Sequence, residues 1–520
     1  MRPGRTSRFW LLAGMALAMV GGASPWRQYR SLGSGSLQDD IRSIVAEPRY
    51  VYVFTSSAGA RFDKLTEQWE FLSSARLPPA GFRFAARDQF FNDLYFVYDR
   101  RLIPYRPASE MQYPPIDLPS PALRLAFEPG GVWVQTADGF YLCDRWSRAC
   151  QKEAAHPPGL EWQGPADPDR LKRDARLYVL ADPVWELWTG YHRLTAYAEE
   201  FASPQVWASY SGLGLWHYDL TTRQRRQVTR GFLAGTGVSG LAWHRGVLGV
   251  AGRGGITLVE QDRDAWQQIV RLFNLDLAAF RASSLALSDR RLFIGTDRGV
   301  ISLKRGDDFA VTLSGYDGLP DDEVTCLLLV GDSLWIGTRS GPALYPLRSG
   351  RVRGWADQRE TVVNGLAADG RYLYLATSRG GLAIDRRDSL KMLRYQEAPP
   401  EMEGELLAVA ADGQHLWWLA PRALLHYDRS AGSWEKIEPA GRYLAGGNLS
   451  LAVDAENIWL GTDAGLARMA KADGRWQVYR QEDGLLEDRV DQVLSAGGVL
   501  WAGGPSGLAR FDWQSAGPEN

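Results

Sequence analysis

The sequence predicts an all-β protein built from β-propeller repeats of about 42 residues, because a strand motif returns along the chain and the composition is unusual. The 520 residues include 55 Gly, 21 Trp and 21 Tyr. This mixture is typical of many short strands joined by tight turns, with flat side chains between the sheets. The net charge is −2, which is not typical of a nucleic-acid-binding protein.

The repeated motif is clearest at residues 334–341, which read LWIGTRSG: an aliphatic, an aromatic and an apolar residue precede small residues and a turn. Similar segments start with Val, Leu or Ile at twelve positions: 51, 94, 132, 177, 206, 248, 292, 334, 373, 416, 458 and 500. The next residue is aromatic in eleven of these twelve, and most spacings lie near 42. This period predicts propeller blades, each a four-stranded antiparallel sheet.

One unit shows all four strands of a blade. Residues 324–330 form an apolar run that suits the innermost strand, and residues 334–338 form the second strand. Gly341 permits the positive φ of the hairpin that leads to a third strand at 342–346. An outer strand is predicted at 351–355.

The two ends of the chain are predicted to meet. Residues 26–30 (WRQYR) resemble the outer strand at 476–480 (WQVYR), whereas the last unit stops after its third strand near Trp513. Residues 26–30 are therefore predicted to supply the missing fourth strand and to close the C-terminal ring.

We expect two propellers rather than one ring of twelve blades, because ordinary rings hold roughly 4 to 8 blades. Residues 24–235 are predicted to form the N-terminal repeats, with a Pro-rich insertion at 156–183. Residues 236–520 are predicted to form a C-terminal propeller of about seven blades. The unit at Leu177 is either degenerate or part of its neighbour, and six plus six blades is the competing arrangement.

Residues 1–23 are predicted to be a signal peptide. Three arginines accompany an apolar stretch at 9–20, and small residues follow at 21–23, so cleavage after Ala23 is expected to release a periplasmic or secreted protein without a membrane span. An uncleaved anchor is the alternative.

The cysteines fit an oxidising compartment. Cys143 and Cys150 lie on two predicted antiparallel strands around a turn, so a disulfide between them is expected, with two free thiols as the alternative. Cys326 lies in an apolar run and is expected to be a small buried side chain.

Two segments resemble a known repeat. Residues 316–324 (YDGLPDDEV) with 333–338 (SLWIGT), and residues 483–490 (DGLLEDRV) with 458–462 (IWLGT), are similar to the two-component regulator propeller repeat of periplasmic sensor domains in bacterial hybrid histidine kinases. The resemblance implies a β-propeller with an extracytoplasmic sensing or binding role. It does not imply a kinase, because no phosphoacceptor helix or ATP lid follows the repeats in the sequence.

Ligand-binding residues are expected on one face of the propeller. The hairpin tips between second and third strands, and the loops leading into the innermost strands, gather around the channel mouth. The candidates on these loops are Arg253, Arg298, Arg339, Arg379, Asp321, Asp322, Glu487 and Asp488. Convergent arginines favour a carboxylated or phosphorylated ligand, whereas the alternative is that charged tips are simply solvated.

Metal binding and catalysis have little support in the sequence. The acidic pairs Asp321–Asp322 and Glu487–Asp488 suit a turn-capping role better than a cation site, and no calcium loop or zinc motif is present. His217 and His426 occupy matching strand positions, which favours packing over catalysis. No cofactor is expected.

These observations predict an exported, non-enzymatic β-propeller that acts as a ligand-binding, sensor-like or protein-docking module. Its partner is an unknown small ligand or an envelope protein, and nucleic acid is not expected. A secreted propeller lyase or hydrolase is one alternative, and a scaffold subunit of a cell-envelope complex is another.

Overall fold

The computed structural model describes most of the chain downstream of residue 24. The described residues are 25–31, 41–55, 59–72, 81–109, 111–167, 171, 173–174, 176–181, 184–186, 190–200, 203–229, 232–263, 265–272, 274–307, 309–355, 358, 360–387, 392–393, 398–437 and 450–514. The predicted signal peptide lies outside them. The regular secondary structure of the described part is almost entirely antiparallel β-sheet.

The first strand, β1 (Trp26–Ser31), is not part of the sheets that follow it in the sequence. Those four sheets are named the N-terminal array. Sheet 1 contains β2 (Ser43–Ala46), β3 (Tyr50–Phe54), β4 (Gly59–Asp63) and β5 (Gln68–Phe71). Sheet 2 contains β6 (Phe82–Asp88), β7 (Asp93–Tyr98), β8 (Arg101–Arg106), β9 (Met111–Gln112) and β10 (Ile116–Asp117). Sheet 3 contains β11 (Ala122–Glu128), β12 (Gly131–Thr136), β13 (Gly139–Asp144) and β14 (Cys150–Glu153).

An insertion follows sheet 3, and sheet 4 completes the array. The insertion includes a short helix, α1 (Tyr178–Ala181), and a hairpin of β15 (Val184–Glu186) and β16 (Gly190–His192). Sheet 4 contains β17 (Leu194–Glu199), β18 (Gln205–Tyr210), β19 (Gly214–Asp219) and β20 (Gln224–Gln227).

Seven further sheets form what we name the C-terminal array. After β21 (Phe232–Leu233), sheet 5 contains β22 (Thr236–His244), β23 (Val247–Arg253), β24 (Gly255–Glu260) and β25 (Ala265–Ile269). The small hairpin of β26 (Arg271–Leu272) and β27 (Leu275–Asp276) precedes sheet 6, which contains β28 (Ala282–Leu287), β29 (Arg291–Thr296), β30 (Gly299–Lys304) and β31 (Ala310–Leu313). Sheet 7 contains β32 (Val324–Val330), β33 (Ser333–Thr338), β34 (Gly341–Pro346) and β35 (Arg353–Gly354).

The remaining sheets repeat this order. Sheet 8 contains β36 (Val363–Ala368), β37 (Tyr372–Thr377), β38 (Gly380–Asp385) and β39 (Met392–Leu393), and sheet 9 contains β40 (Ala408–Asp412), β41 (His415–Ala420), β42 (Ala423–Asp428) and β43 (Ser433–Ile437). Sheet 10 contains β44 (Ser450–Val453), β45 (Asn457–Thr462), β46 (Gly465–Ala470) and β47 (Trp476–Tyr479), and sheet 11 contains β48 (Gln492–Ala496), β49 (Val499–Gly504) and β50 (Gly507–Phe511). Short 3-10 helices lie at Gln261–Arg263, Leu277–Ala279, Gly315–Asp317, Pro400–Glu403 and Gln481–Asp483.

The repeat motif marks second strands throughout. Eleven of its twelve copies lie in β3, β7, β12, β18, β23, β29, β33, β37, β41, β45 and β49. The exception is the copy at Leu177, which lies in a turn before α1. Leu177 is buried against Val206 and Tyr218 of sheet 4. It is therefore part of its neighbour, which is one of the two alternatives that the sequence left open.

The aromatic residue of the second strand packs against an adjacent sheet in both arrays. Trp335 of sheet 7 lies in one core cluster with Leu373 of sheet 8. Trp459 of sheet 10 lies in one cluster with Leu500 of sheet 11. Trp207 of sheet 4 packs in the same way, but on sheet 1. Large flat rings fill the wedge between adjacent sheets, so burial of these rings stabilises each sheet-to-sheet junction.

The innermost strands contact each other from sheet to sheet. In the C-terminal array the contacts run in chain order from β22 to β48, and β48 also contacts β22. In the N-terminal array β2 contacts both β6 and β17, and β6 contacts β11.

The N-terminal strand is the fourth strand of the last sheet. β1 pairs antiparallel with β50, with Trp26 opposite Phe511. The two rings stack with 4.1 Å between their centroids. β1 also pairs in parallel with β21, so the first and last strands are joined by backbone hydrogen bonds beside the boundary between the arrays.

Candidate functional site

In three sheets of the C-terminal array, the hairpin tip lies beside the lead-in loop of the same sheet. Arg339 Nε lies 3.0 Å from a carboxylate oxygen of Glu323, and an Arg379 guanidinium nitrogen lies 3.8 Å from a carboxylate oxygen of Glu360. The Arg298 guanidinium lies over the ring of Phe280. These contacts join each tip to the loop of its own sheet, so the arginine side chains are engaged locally. Arg253 lies exposed at the end of β23.

The four acidic candidates cap turns. Asp321 accepts hydrogen bonds from the Glu323 backbone N–H and the Ser340 hydroxyl. Asp322 accepts a hydrogen bond from the Gly315 backbone N–H at 2.6 Å. In the last sheet the same roles recur, because Asp488 accepts from the Gln481 N–H at 2.9 Å and Glu487 accepts from the Ser506 N–H.

This arrangement is the turn-capping role that the sequence favoured over a metal site. Within the described ranges no group of three or more His, Cys, Asp or Glu side chains is placed to hold a metal ion.

The repeated histidines pack on tryptophan rings. His217 stacks on Trp207 with 4.4 Å between centroids, and His426 stacks on Trp417 at 4.1 Å. Burial lowers the pKa of His217. Each histidine lies directly opposite its tryptophan on the neighbouring strand, so the matching sequence positions reflect a shared packing arrangement.

The cysteines lie in two different environments. Cys143 and Cys150 face each other across β13 and β14 and form a disulfide, with 4.0 Å between their Cα atoms. Cys326, on β32, is a free thiol packed against sheet 8. Burial raises the pKa of the Cys326 thiol to about 12.

A cavity of about 1990 Å³ lies in the N-terminal array. It is lined by the C-terminal ends of the innermost strands β2, β6, β11 and β17, and by residues 159–167 of the insertion. These strand ends lie opposite the lead-in loops, because the chain enters each innermost strand at the other end. The cavity therefore lies at the strand ends opposite the lead-in loops of the N-terminal array, whereas the predicted ligand-binding residues all lie in the C-terminal array.

Gln163 holds the insertion beside this cavity. Its backbone exchanges two hydrogen bonds with Leu125 of β11, at 2.7 and 2.8 Å. Its side-chain amide also forms two hydrogen bonds with the backbone of Arg87 in β6. The Arg87 N–H donates to the amide oxygen, and the amide nitrogen donates to the Arg87 carbonyl, each at 2.7 Å. One residue thus satisfies the exposed backbone groups of two innermost strands.

The insertion also contacts the sheets on its two sides. Asp167 accepts a hydrogen bond from the Arg124 guanidinium of sheet 3 at 2.8 Å. Leu171 and Leu180 are buried in the core of sheet 4, together with Val206. The insertion therefore spans from sheet 3 to sheet 4, and the cavity lies beneath it.

Charges on the cavity wall fall into two groups. Some are already paired: Glu200 accepts hydrogen bonds from Lys64 and from the Trp207 indole N–H, both at 2.7 Å. Others are open. The carboxylates of Glu128 and Glu161 line the cavity and have no hydrogen-bond or ion-pair partner anywhere in the described ranges.

The cavity wall also carries positive charge. Arg223 lies in the turn that joins β19 to β20, Arg225 lies in β20, and both line the cavity. The Arg223 guanidinium has no partner among the residues that the structure describes. Arg225 stacks on the ring of Trp216, with 5.4 Å between the guanidinium carbon and the ring centroid.

Aromatic side chains complete the lining. Phe90 and Tyr178 are 48% and 55% exposed, and Trp162 and Tyr197 are half-buried. Rings that face a cavity with part of their surface free can contact a ligand without losing their own packing.

Sequence reasoning did not select any of these cavity residues. The available signal was a gap, because the motif copies at 132 and 206 are 74 residues apart and the segment between them is rich in proline. That gap indicates a position in the repeat that is not an ordinary blade, but it does not indicate which face the insertion lines.

Comparison with known proteins finds no matching family model and no matching curated protein. Solved structures to which the chain is similar include PorZ, a surface component of the type-IX secretion system of Porphyromonas gingivalis, at 12% identity over 94% of this chain and 87% of that chain, with a TM-score of 0.47. The extracellular domain of BT3049, assigned to a hybrid two-component system of B. thetaiotaomicron, matches at 13% identity over 94% of this chain and 84% of that chain, with a TM-score of 0.33.

An inactive variant of virginiamycin B lyase from Staphylococcus aureus matches at 10% identity over 53% of this chain and 94% of that chain, with a TM-score of 0.43. Similarity at this level assigns no function. In the described ranges, no helix has the length and apolar character needed to cross a membrane.

Proposed function

We propose that this chain is an exported, non-enzymatic β-propeller protein that binds a ligand in the cavity of its N-terminal array. The observation that carries the proposal is the cavity itself, which combines a volume of about 1990 Å³ with open carboxylates, an open guanidinium and partly exposed rings. A concave site with aromatic lining and a few polar groups is the usual form of a ligand site.

We propose that the two arrays are two separate rings with different numbers of blades. We take the C-terminal array to be a seven-bladed propeller that β1 closes, because β48 contacts β22 and β1 pairs with β50. We take the N-terminal array to be a ring of four blades in which the insertion fills a fifth position. Support comes from Trp207 and Lys64, which join sheet 4 to sheet 1.

A second candidate function is docking of a protein on an exposed aromatic patch. Trp146 is 78% exposed and contacts Phe91, which is 39% exposed. Large exposed apolar rings on a soluble domain mark interaction surfaces. Phe91 is adjacent in sequence to Phe90 of the cavity lining, so a docked protein would lie next to the proposed ligand site.

The experiment is a thermal-denaturation screen of the mature protein against three sets of compounds: small anions, oligosaccharides and short peptides. A ligand that binds only the folded state raises Tm. We compare a cavity variant, Glu128→Gln with Arg223→Gln, against a tip variant, Arg298→Ala with Arg339→Ala and Arg379→Ala.

A ligand that stabilises the wild type and the tip variant, but not the cavity variant, supports the proposal. Loss of stabilisation in the tip variant alone places the site at the channel mouth. If mass spectrometry shows that the protein chemically converts the bound compound, the protein is an enzyme and the proposal is wrong.

A further inference from the structure

We infer that the ligand of this cavity is an extended peptide segment that carries a positive group and a negative group at separate positions. This inference rests on the proposed function and names its ligand class. The cavity places open charges of opposite sign on different walls, with aromatic side chains in its lining.

The open carboxylates lie on sheet 3 and the insertion, where the lining guanidinium of Arg124 is already bound to Asp167. Glu128 is the last residue of β11, and Glu161 lies two residues before Gln163, whose backbone pairs with β11. Since neither carboxylate has a partner in the described ranges, both are available to an ammonium or guanidinium group of a ligand.

The open basic groups lie on sheet 4, where the lining carboxylates Glu199, Glu200 and Asp219 are already bound to other residues. Arg223 and Arg225 lie on the turn and first residues of the outer strand, β20, and neither forms an ion pair within the described part of the chain. Their guanidinium groups can bind a carboxylate with two parallel hydrogen bonds. The insertion contacts both sheet 3 and sheet 4, so the two sets of open charges lie on different sheets of the array.

The size of the cavity separates a peptide from a small zwitterion. Pockets for drug-sized molecules hold about 300–1,000 Å³, whereas this cavity holds about 1990 Å³. A single amino acid would leave most of this volume unfilled. A segment of several residues can place a basic side chain on one wall, an acidic side chain on the other, and its apolar groups against Trp162 and Tyr178.

The charges also separate a peptide from a neutral oligosaccharide. Aromatic rings suit both ligands, but a neutral sugar leaves the carboxylates and guanidinium groups without a charged partner. Desolvating unpaired charges lowers affinity. The opposed charges therefore favour a dipolar ligand.

The test is calorimetric titration of the full mature protein with three probes. The first is an end-blocked hexapeptide with a lysine as its second residue and a glutamate as its fifth. The second is the same peptide with glutamine at both positions, and the third is a neutral hexasaccharide. We expect the dipolar peptide to bind about tenfold more tightly than the neutral peptide, and this difference to shrink at high salt.

The decisive variant is Glu128→Gln with Glu161→Gln, which should weaken the dipolar peptide about tenfold and leave the neutral peptide unchanged. The matched control, Glu456→Gln with Glu482→Gln, removes two exposed carboxylates of the C-terminal array and should change neither affinity. A second variant, Glu128→Lys with Glu161→Lys, reverses the charge of these two side chains. This variant should bind a hexapeptide whose lysine is replaced by glutamate more tightly than it binds the dipolar hexapeptide.

The outcomes separate the inference from the proposed function. Two results would overturn the ligand class but leave the cavity as the site. One is equal affinity for the two peptides. The other is tighter binding of the hexasaccharide, if the cavity variant loses that binding. If a probe binds and neither cavity variant changes its affinity, both the inference and the cavity as the binding site are wrong. The same holds if no probe binds.

Discussion

The two arrays use one type of sheet but differ in continuity. In the C-terminal array seven sheets follow each other without a long interruption, and each innermost strand contacts the next. In the N-terminal array an insertion separates sheet 3 from sheet 4, and the cavity lies beside it. An insertion between two sheets of a repeat can therefore line a cavity at the ends of the innermost strands.

The junctions between sheets are nevertheless alike. In sheet 10, Lys471 follows the third strand and binds Asp412 at the end of the first strand of sheet 9. In sheet 1, Lys64 follows the third strand and binds Glu200 just after the first strand of sheet 4. Sheet 1 therefore follows sheet 4 in space as sheet 10 follows sheet 9, although the chain order is reversed.

The largest expected effect is on β1, which we propose closes the C-terminal array. Trp26→Ala removes a buried ring that stacks on Phe511, and we expect a loss of about 3–5 kcal/mol in the free energy of unfolding. The C-terminal array should unfold first in a guanidinium titration. Trp146→Ala, at a ring 78% exposed, is the control and should change the free energy by less than about 0.5 kcal/mol. Equal effects of the two variants would falsify closure by β1.

A smaller effect is expected at the disulfide of the N-terminal array. Cys143→Ser with Cys150→Ser opens a short loop, with a sequence separation of 7, and the chain-entropy estimate for such a loop is about 2 kcal/mol. The urea midpoint of the N-terminal transition should fall, while that of the C-terminal transition stays unchanged. Reduction of the wild type should reproduce the same shift, and a shift in both transitions contradicts a local role.

The matched lysines compare the two junctions directly. Lys64→Met and Lys471→Met each remove a partly buried charged hydrogen bond, and each should cost about 1–2 kcal/mol. Chemical denaturation with tryptophan fluorescence measures both. If Lys64→Met has no effect while Lys471→Met destabilises, sheets 4 and 1 do not form a junction of the same kind.

The smallest effect concerns the free thiol. Burial raises the pKa of Cys326 to about 12, so the thiol is protonated at pH 8 and its reactive thiolate forms only as the pH approaches that value. A maleimide should label the folded protein slowly at pH 8 and the unfolded protein rapidly. Rapid labelling of the folded protein shows that β32 is not packed against sheet 8 as described.

Much of the fold could be predicted from the sequence because its signal is local. An aliphatic residue followed by an aromatic one at fixed spacing identifies the second strand of each sheet, and Trp335 and Trp459 lie in equivalent positions. The strand at 26–30 could be assigned because it resembles the outer strand at 476–480 and the last unit lacks one.

The site could not be predicted because its contacts are distant in sequence. Gln163 binds Arg87, which is 76 residues away, and no periodic pattern connects them. The acidic pairs are predicted to bind a ligand because lead-in loops gather around the channel mouth, but Asp322 and Asp488 accept hydrogen bonds from backbone N–H groups of their own loops. A charged residue in a loop therefore identifies a turn more often than a ligand site.

Amide hydrogen exchange of the mature protein, with and without saturating dipolar hexapeptide, tests most directly whether the N-terminal array carries the binding site. We predict slower exchange at the ends of β11 and β17 and at residues 159–167, with no change at the tips that contain Arg298, Arg339 and Arg379. Protection of those tips, without protection of the cavity segments, contradicts the account.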